Sequence, residues 1–456
     1  MASGASGGIE SSAAVAALLP TVAEWLDRLV RIPSVAFPGY PREPLFAAHD
    51  VVVELLGEVG VEDVRSLVIE GKEAPVVIAE VPGPPGSPTV LFYTHYDVVP
   101  PGDEALWATP PFEPVERDGA VYGRGTADSK GNIASILAML ALFEGRPPAT
   151  IRIVIEGQEE YGSPFDYFPP TSPATFAADA MVVADMGSVR PGQPTLTVAL
   201  RGSAGLVVEA RTLDGDKHSG QFGGAAPDAR LALMVAIASL FDVHGNVVVP
   251  GLLREPWWGV EYDDDEFRAL AEVREGVGFQ GTGTLGERLW SGPAITVIGF
   301  DAPPVDEPLN AVASRARASL NLRVHPGQDA AEAQEVLARH LEGLRPLGVP
   351  LTVTRGEAGN GFLAQTDGPA YQAARAALAD AWGCDPVEFA SGGSIPIVMS
   401  LAEAAPAAEM LMFGTTDGYS NLHAPNERVL LEELQASVVA KVAFVRRYAA
   451  LFDQAP

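Results

Sequence analysis

Three short apolar runs end in side chains that can hold a divalent cation. Residues 89–93 lead into Thr94-His95-Tyr96-Asp97, residues 151–156 into Gly157-Gln158-Glu159-Glu160, and residues 180–184 into Asp185. A further carboxylate, Asp128, sits in the glycine-rich stretch Gly123-Arg124-Gly125-Thr126-Ala127-Asp128-Ser129-Lys130-Gly131. Imidazole combined with carboxylate suits Zn²⁺, Mn²⁺ or Co²⁺. Two such ions carry +4, and Asp128, Glu160, Asp185 and one hydroxide carry −4, so the centre closes electrically without stranding buried charge. A second imidazole is needed, and His423 in Asn421-Leu422-His423-Ala424-Pro425-Asn426-Glu427 is the best placed, just ahead of the last helical stretch. Taken singly these are weak signals: a histidine at a strand end, an adjacent Glu-Glu pair and a His-x-Asp all occur without function. The glycine-rich stretch has neither the Gly-x-Gly-x-x-Gly order of a dinucleotide loop nor the Gly-Lys-Ser/Thr of a P-loop. The signal is the conjunction.

The surrounding pattern can position such a group. Helical periodicity runs over residues 13–31 and 45–59, and β-rich runs cover 75–81, 89–93, 151–156 and 180–184. Residues 132–143 are apolar nearly all round and read as a buried helix. Alternating strands and helices imply an α/β domain with a mostly parallel sheet flanked by helices. The candidate ligands fall at the carboxyl ends of its strands, where open sheets place ligand crevices. After residue 200 the order becomes strand 205–211, helix 226–243, strands 294–300 and 315–324, helix 330–344 and strand 349–354. That is βαββαβ, the ferredoxin-like arrangement. The α/β pattern resumes through 371–381, 396–402 and 430–452. The expectation is a catalytic domain of residues 1–200 and 361–456, interrupted by an inserted domain of residues 201–360.

Composition narrows the partners. The chain has 456 residues, 59 acidic against 30 basic for a net charge of −29, and 47% apolar residues. That is ample material for cores, which excludes disorder as the main state. The negative balance argues against nucleic acid and anionic membranes. A single cysteine, Cys384, excludes a disulfide framework and a Cys-rich zinc site; on a Gly-Cys-Asp turn with no nearby base, it reads as inert. No targeting segment and no apolar run of about 18 residues is seen, so a soluble cytoplasmic protein is expected. His49, His244, His325 and His340 have no motif around them and read as structural.

The motifs, taken in order, resemble those of the M20 metallopeptidases, in particular the carnosinase-like, cytosolic non-specific dipeptidase branch. They are His95-x-Asp97-Val98-Val99-Pro100, Trp107 with Pro110-Pro111-Phe112, Tyr122-Gly123-Arg124-Gly125, Asp128 with Lys130-Gly131 and Glu156-Gly157-x-Glu159-Glu160-x-Gly162-Ser163. Asp185, His218-Ser219-Gly220 with Phe222-Gly223-Gly224, Gly393-Ser394-Ile395-Pro396 and His423-Ala424-Pro425-Asn426-Glu427 follow. The resemblance spans residues 32–445.

This resemblance implies two divalent metal ions, Zn²⁺ first and Mn²⁺ or Co²⁺ as alternatives. Asp128 would bridge them, with His95 and Asp185 completing one site and Glu160 and His423 the other. Glu159 would be the general base, moving a proton from a metal-bridging water to the leaving amine, and Asp97 would orient His95. The Asp128–Ser129 peptide would be cis. The inserted domain would be a lid and dimerisation domain, making a homodimer in which His218 stabilises the oxyanion of the partner's site. Arg323 and Ser394 would bind the substrate's terminal carboxylate, and Asn310 would lie near the reacting carbonyl across the dimer. Two departures, Ala313 in place of a usual proline and the polar run Tyr419-Ser420-Asn421-Leu422, bear on substrate range.

The leading expectation is therefore a metal-dependent dipeptidase acting on small peptides with a free C-terminal carboxylate. An N-acyl or N-succinyl amino acid amidohydrolase would use the same constellation. A catalytically inactive dimer would lack Glu159 or a ligand, and here every position is filled.

Overall fold

A computed structural model describes residues 4–71, 74–393 and 395–452. The chain divides into two compact units, one of residues 1–198, 364–389 and 397–456, the other of residues 199–363 and 390–396. The second unit thus takes in residues 390–396, which the sequence pattern assigned to the resumed α/β part.

The first unit is built on a six-stranded sheet. From edge to edge its strands are Asp63–Leu67, Val76–Val81, Thr150–Glu156, Thr89–His95, Ala180–Val183 and Glu409–Met412. The first two pairings are antiparallel and the remaining three parallel. The central strands are apolar on both faces because helices cover them; Val90–Tyr93, Ile153–Ile155 and Ala180–Val183 are all essentially inaccessible. Each fully buried Val, Leu or Ile there contributes about 1.5–3 kcal/mol. The helix Lys130–Phe143 packs on the Thr89–His95 strand and against the long helices Gly4–Val30 and Leu431–Phe452. Twelve of its 14 residues are buried, as its all-round apolar sequence requires. Two strands of this sheet are not anticipated by the sequence pattern. Asp63–Leu67 is an exposed polar edge, and Glu409–Met412 is four residues long, too short to display a period.

The second unit holds a four-stranded antiparallel sheet in the order Ala294–Phe300, Arg315–Val324, Gly202–Arg211, Leu351–Gly359. The helices Ala229–Ala238 and Ala330–Gly343 pack on it, and alternate residues of the two inner strands (Ala204, Leu206, Val208, Leu320, Leu322) form its core with them. The helix expected over 226–243 is shorter. The Asp228 carboxylate caps it by accepting from the Arg230 and Leu231 N–H groups.

Candidate metal centre

The strands Thr150–Glu156, Thr89–His95 and Ala180–Val183 are adjacent and parallel, so their carboxyl ends finish level. His95 pairs with Glu156 in register, and the Ala184 N–H donates to the Tyr93 carbonyl at 2.8 Å. His95, the Glu159-Glu160 pair and Asp185 therefore leave the sheet at one edge. Gly157 is dictated by packing: a Cβ there would lie 2.2 Å from the Tyr96 ring.

The side chains converge on Asp128. His95 Nε2 lies 3.0 Å from Asp128 Oδ1 and 3.2 Å from Asp185 Oδ1. His423 Nε2 lies 3.1 Å from Asp128 Oδ2 and 3.1 Å from Glu160 Oε2. The two oxygens of Asp128 thus face two different histidines, each with its own second carboxylate. His95, Asp128 and Glu160, and separately His95, Glu159 and Asp185, bring ligand atoms within 4.8 Å of one another. His95 is wholly buried, whereas the His423 side chain is 56% exposed, so the centre opens on the His423 side.

The electrostatics are those of a site short of positive charge. Burial works against a charge on His95, but Asp185, Asp128 and Asp97 outweigh it and hold the imidazole well above its usual pKa. Hydrogen bonds to Asp128 and Glu160 push His423 up to about 10. Burial, followed by the charge of Asp128, pushes Glu160 up to about 7. Burial likewise raises Asp185 and Glu159. Four carboxylates around two imidazoles leave negative charge unbalanced. One buried oxygen, Glu160 Oε1, has no hydrogen-bond partner. Divalent cations fit this donor set.

Surrounding residues set the ligands' orientation. His95 Nδ1 lies 3.1 Å from the Asp97 carbonyl and 3.5 Å from its carboxylate. A proton on Nδ1 leaves Nε2 as the lone-pair donor. The Asp97 carboxylate also accepts from the N–H groups of Glu159 (2.9 Å) and Glu160 (3.1 Å), so it holds the acidic pair as well as the imidazole. The Asp128–Ser129 peptide is cis.

Glu427 carries a role that the sequence reading left unassigned. Fully buried, it accepts from the backbone N–H groups of Gly125, Ala127 and Asp128 and from Arg124 Nη1 at 2.6 Å. Arg124 is itself buried beside the Trp107 ring and donates to the Ala424 carbonyl. Arg124 and Glu427 each stand in a glycine- or proline-marked motif, but nothing in the sequence announces their burial or their pairing.

The other candidates lie elsewhere in the chain. His218 and Asn310 belong to the second unit, on the two-stranded ribbon where His218 pairs with Ala311 and the Asn310 carbonyl accepts from the Ser219 N–H at 3.0 Å; both residues are exposed. Arg323 is half-buried on the strand Arg315–Val324 of that unit. Ser394 lies outside the described residues. His49 bonds Asp50 and Ser66, and His325 accepts from Gly327 N–H, both structural arrangements.

The family model for "Peptidase family M20/M25/M40" matches residues 91–447. A cysteinylglycine-S-conjugate dipeptidase of Corynebacterium striatum is 36% identical over 405 residues, covering 87% of this chain and 89% of that protein. A human Beta-Ala-His dipeptidase is 28% identical over 377 residues, covering 78% and 74%. The solved structure of the dipeptidase Dug1p from Saccharomyces cerevisiae superimposes with a TM-score of 0.79 at 22% identity, covering 98% of this chain and 99% of that one. With its acidic two-histidine centre at the carboxyl ends of a parallel sheet, this chain belongs to the M20 family of metallopeptidases, in the branch of the carnosinase-like and Cys-Gly dipeptidases.

Proposed function

We propose that this chain is a dinuclear metal-dependent dipeptidase that hydrolyses dipeptides with a free C-terminal carboxylate. The observation that carries this reading is the placement of the two Asp128 oxygens toward different histidines, each backed by its own carboxylate, Asp185 or Glu160. Asp128 would bridge, His95 and Asp185 would hold one ion, and His423 and Glu160 the other, with Zn²⁺ the first candidate. Ions bound there supply Lewis acidity that makes water a nucleophile near neutral pH and polarises the scissile carbonyl. Glu159, kept basic by burial beside three other carboxylates, takes the proton of the attacking water and returns it to the leaving amine nitrogen. Asp97 keeps Glu159 in place through its backbone N–H. From the second unit, in the role of a ferredoxin-like lid and dimerisation domain, Arg323 would take the terminal carboxylate with Ser394, and His218 and Asn310 would serve the reacting carbonyl of a partner protomer.

The test is hydrolysis by chelator-stripped protein refilled with Zn²⁺ or Mn²⁺. The panel sets X-Gly and X-Ala dipeptides beside N-acetyl and N-succinyl amino acids. Metal-dependent cleavage of the dipeptides alone is expected. Turnover of the acylated substrates alone would keep the centre and its base but move the reaction to deacylation. Among the described residues no helix is long and apolar enough to cross a membrane.

A further inference from the structure

Arg201 is a buried cation that no acid balances among the described residues. The residue is 8% exposed, and its Nε and Nη1 have no hydrogen-bond partner. Its backbone N–H donates to the Ser391 carbonyl at 3.4 Å. The next residue of that segment, Gly392, passes so close that a Cβ on it would lie 3.5 Å from Arg201 Nη2. Burial pushes the Arg201 pKa down to about 10, and the nearby guanidinium of Arg323 pushes it the same way. Arg323 stands opposite Ser203 on the adjoining strand, half-buried on the face away from Leu322 and Val324, which point into the core. All of these groups belong to the second unit. An unpaired buried charge is one of the costliest features a fold can carry, and a neighbour of like sign adds to the cost. Planar guanidinium forks of this kind each match one carboxylate edge-on.

We propose that Arg201 and Arg323 form a two-guanidinium site for a dicarboxylate, and that the enzyme therefore prefers dipeptides whose C-terminal residue is aspartate or glutamate. The terminal carboxylate sits at Arg323, as in the function proposed above and resting on it, and the side-chain carboxylate sits at Arg201. A single carboxylate brings one negative charge and leaves one guanidinium unbalanced; the second acid completes the neutralisation.

Two measurements on the full chain test this. The first is calorimetric titration of metal-free protein with L-glutamate and L-glutamine, which needs no turnover; the second is kcat/KM of metal-filled protein for Ala-Glu against Ala-Gln. Glutamate and Ala-Glu are expected to be favoured by about tenfold or more, each 1.4 kcal/mol of charge-assisted bonding being a factor of ten. Arg201→Met should bring both ratios to about twofold or less, and Arg201→Lys, which keeps the charge without the fork, should retain part of them. Equal treatment of acid and amide by the native protein, or discrimination that survives Arg201→Met, overturns the site. Should no dipeptide be cleaved while glutamate is still discriminated, the peptidase reading fails and the anion site stands. Cleavage without discrimination has the opposite meaning.

Discussion

The carboxylate of Glu427 accepts a hydrogen bond from the backbone N–H of Asp128 at 3.0 Å, across 299 residues of chain. The same carboxylate holds Gly125 and Ala127, and the Glu427 carbonyl accepts from the Gly123 N–H. Because His423 precedes Glu427 by one short turn, a single buried side chain ties the segment that aims Asp128 to the segment that carries His423. The two residues that meet across Asp128 Oδ2 are thus fixed relative to each other before any cation arrives.

Removing that tie should loosen metal before it touches chemistry. Glu427→Ala leaves Arg124 buried and unpaired, which costs about 3–5 kcal/mol and should lower the melting temperature sharply. Glu427→Gln keeps shape and an acceptor but loses the charge. We expect it to fold and to bind Zn²⁺ about 10- to 100-fold more weakly, the usual scale for groups that orient ligands, as read by chelator competition. Native affinity in folded Glu427→Gln would break the link between this carboxylate and the centre.

Glu159 is set apart from the ligand set by what it lacks: neither histidine nitrogen is hydrogen-bonded to it, while its backbone is clamped by Asp97. Glu159→Ala should therefore retain metal content by elemental analysis yet lose turnover by about 10²- to 10⁴-fold. A variant keeping more than about a tenth of the rate would remove Glu159 from the proton-transfer role.

The parts of the molecule legible in the sequence are those where one physical requirement acts locally. The three central strands are continuous apolar runs because helices bury both faces, and each run is followed within a few residues by a histidine or an acid. Glu409–Met412 obeys the same rule but is so short that only its parallel pairing with Ala180–Val183 identifies it. Residue types at the centre could be listed from spacing, whereas their support could not. The partners of Glu427 are mostly backbone N–H groups some 300 residues earlier, and no pattern of side chains announces such bonds. Arg201 was hidden for a different reason: an arginine just ahead of a strand ordinarily reads as solvated, and only its burial makes it unusual.

The proposed role of His218 in a partner's site has a consequence that no single-protomer mechanism shares. His218→Ala and Glu159→Ala protomers should each be inactive as homodimers. After subunit exchange, a mixed dimer would hold one site with native Glu159 and a partner's native His218. Random exchange of equal amounts should restore about a quarter of native activity, half of the dimers being mixed and half of their sites complete. Absence of recovery in mixtures that demonstrably exchange would place the action of His218 within its own protomer or remove it.

Two buried lysines, Lys441 and Lys130, should each contribute stability that rises with pH across the mildly alkaline range. Lys441 is fully buried on the helix Leu431–Phe452, with Ser437 Oγ 2.6 Å away and the Phe413 ring at 5.7 Å. Burial pushes it down to about 7 from its usual 10.5. Burial also pushes Lys130 down to about 7, although two carbonyls, of Leu29 and Ile32, accept from it. Below pH 7 both lysines are charged in folded and unfolded chains alike, and the penalty of burying charge is felt in full. Between 7 and 10.5 the unfolded chain binds more protons than the folded one, so unfolding free energy rises with pH, by up to about 1.4 kcal/mol per pH unit for each lysine. In denaturation of metal-free protein between about pH 7.5 and 9.5, below tyrosine ionisation, the raised His95 and His423 slope the opposite way, so the difference between native protein and Lys441→Met isolates the lysine contribution. Lys441→Met should lower the slope by up to about 1.4 kcal/mol per pH unit and stabilise the protein most at the acid end of that window, because it removes a charge that the folded state disfavours. An unchanged slope would mean that Lys441 keeps its ordinary pKa and that water reaches its ammonium group.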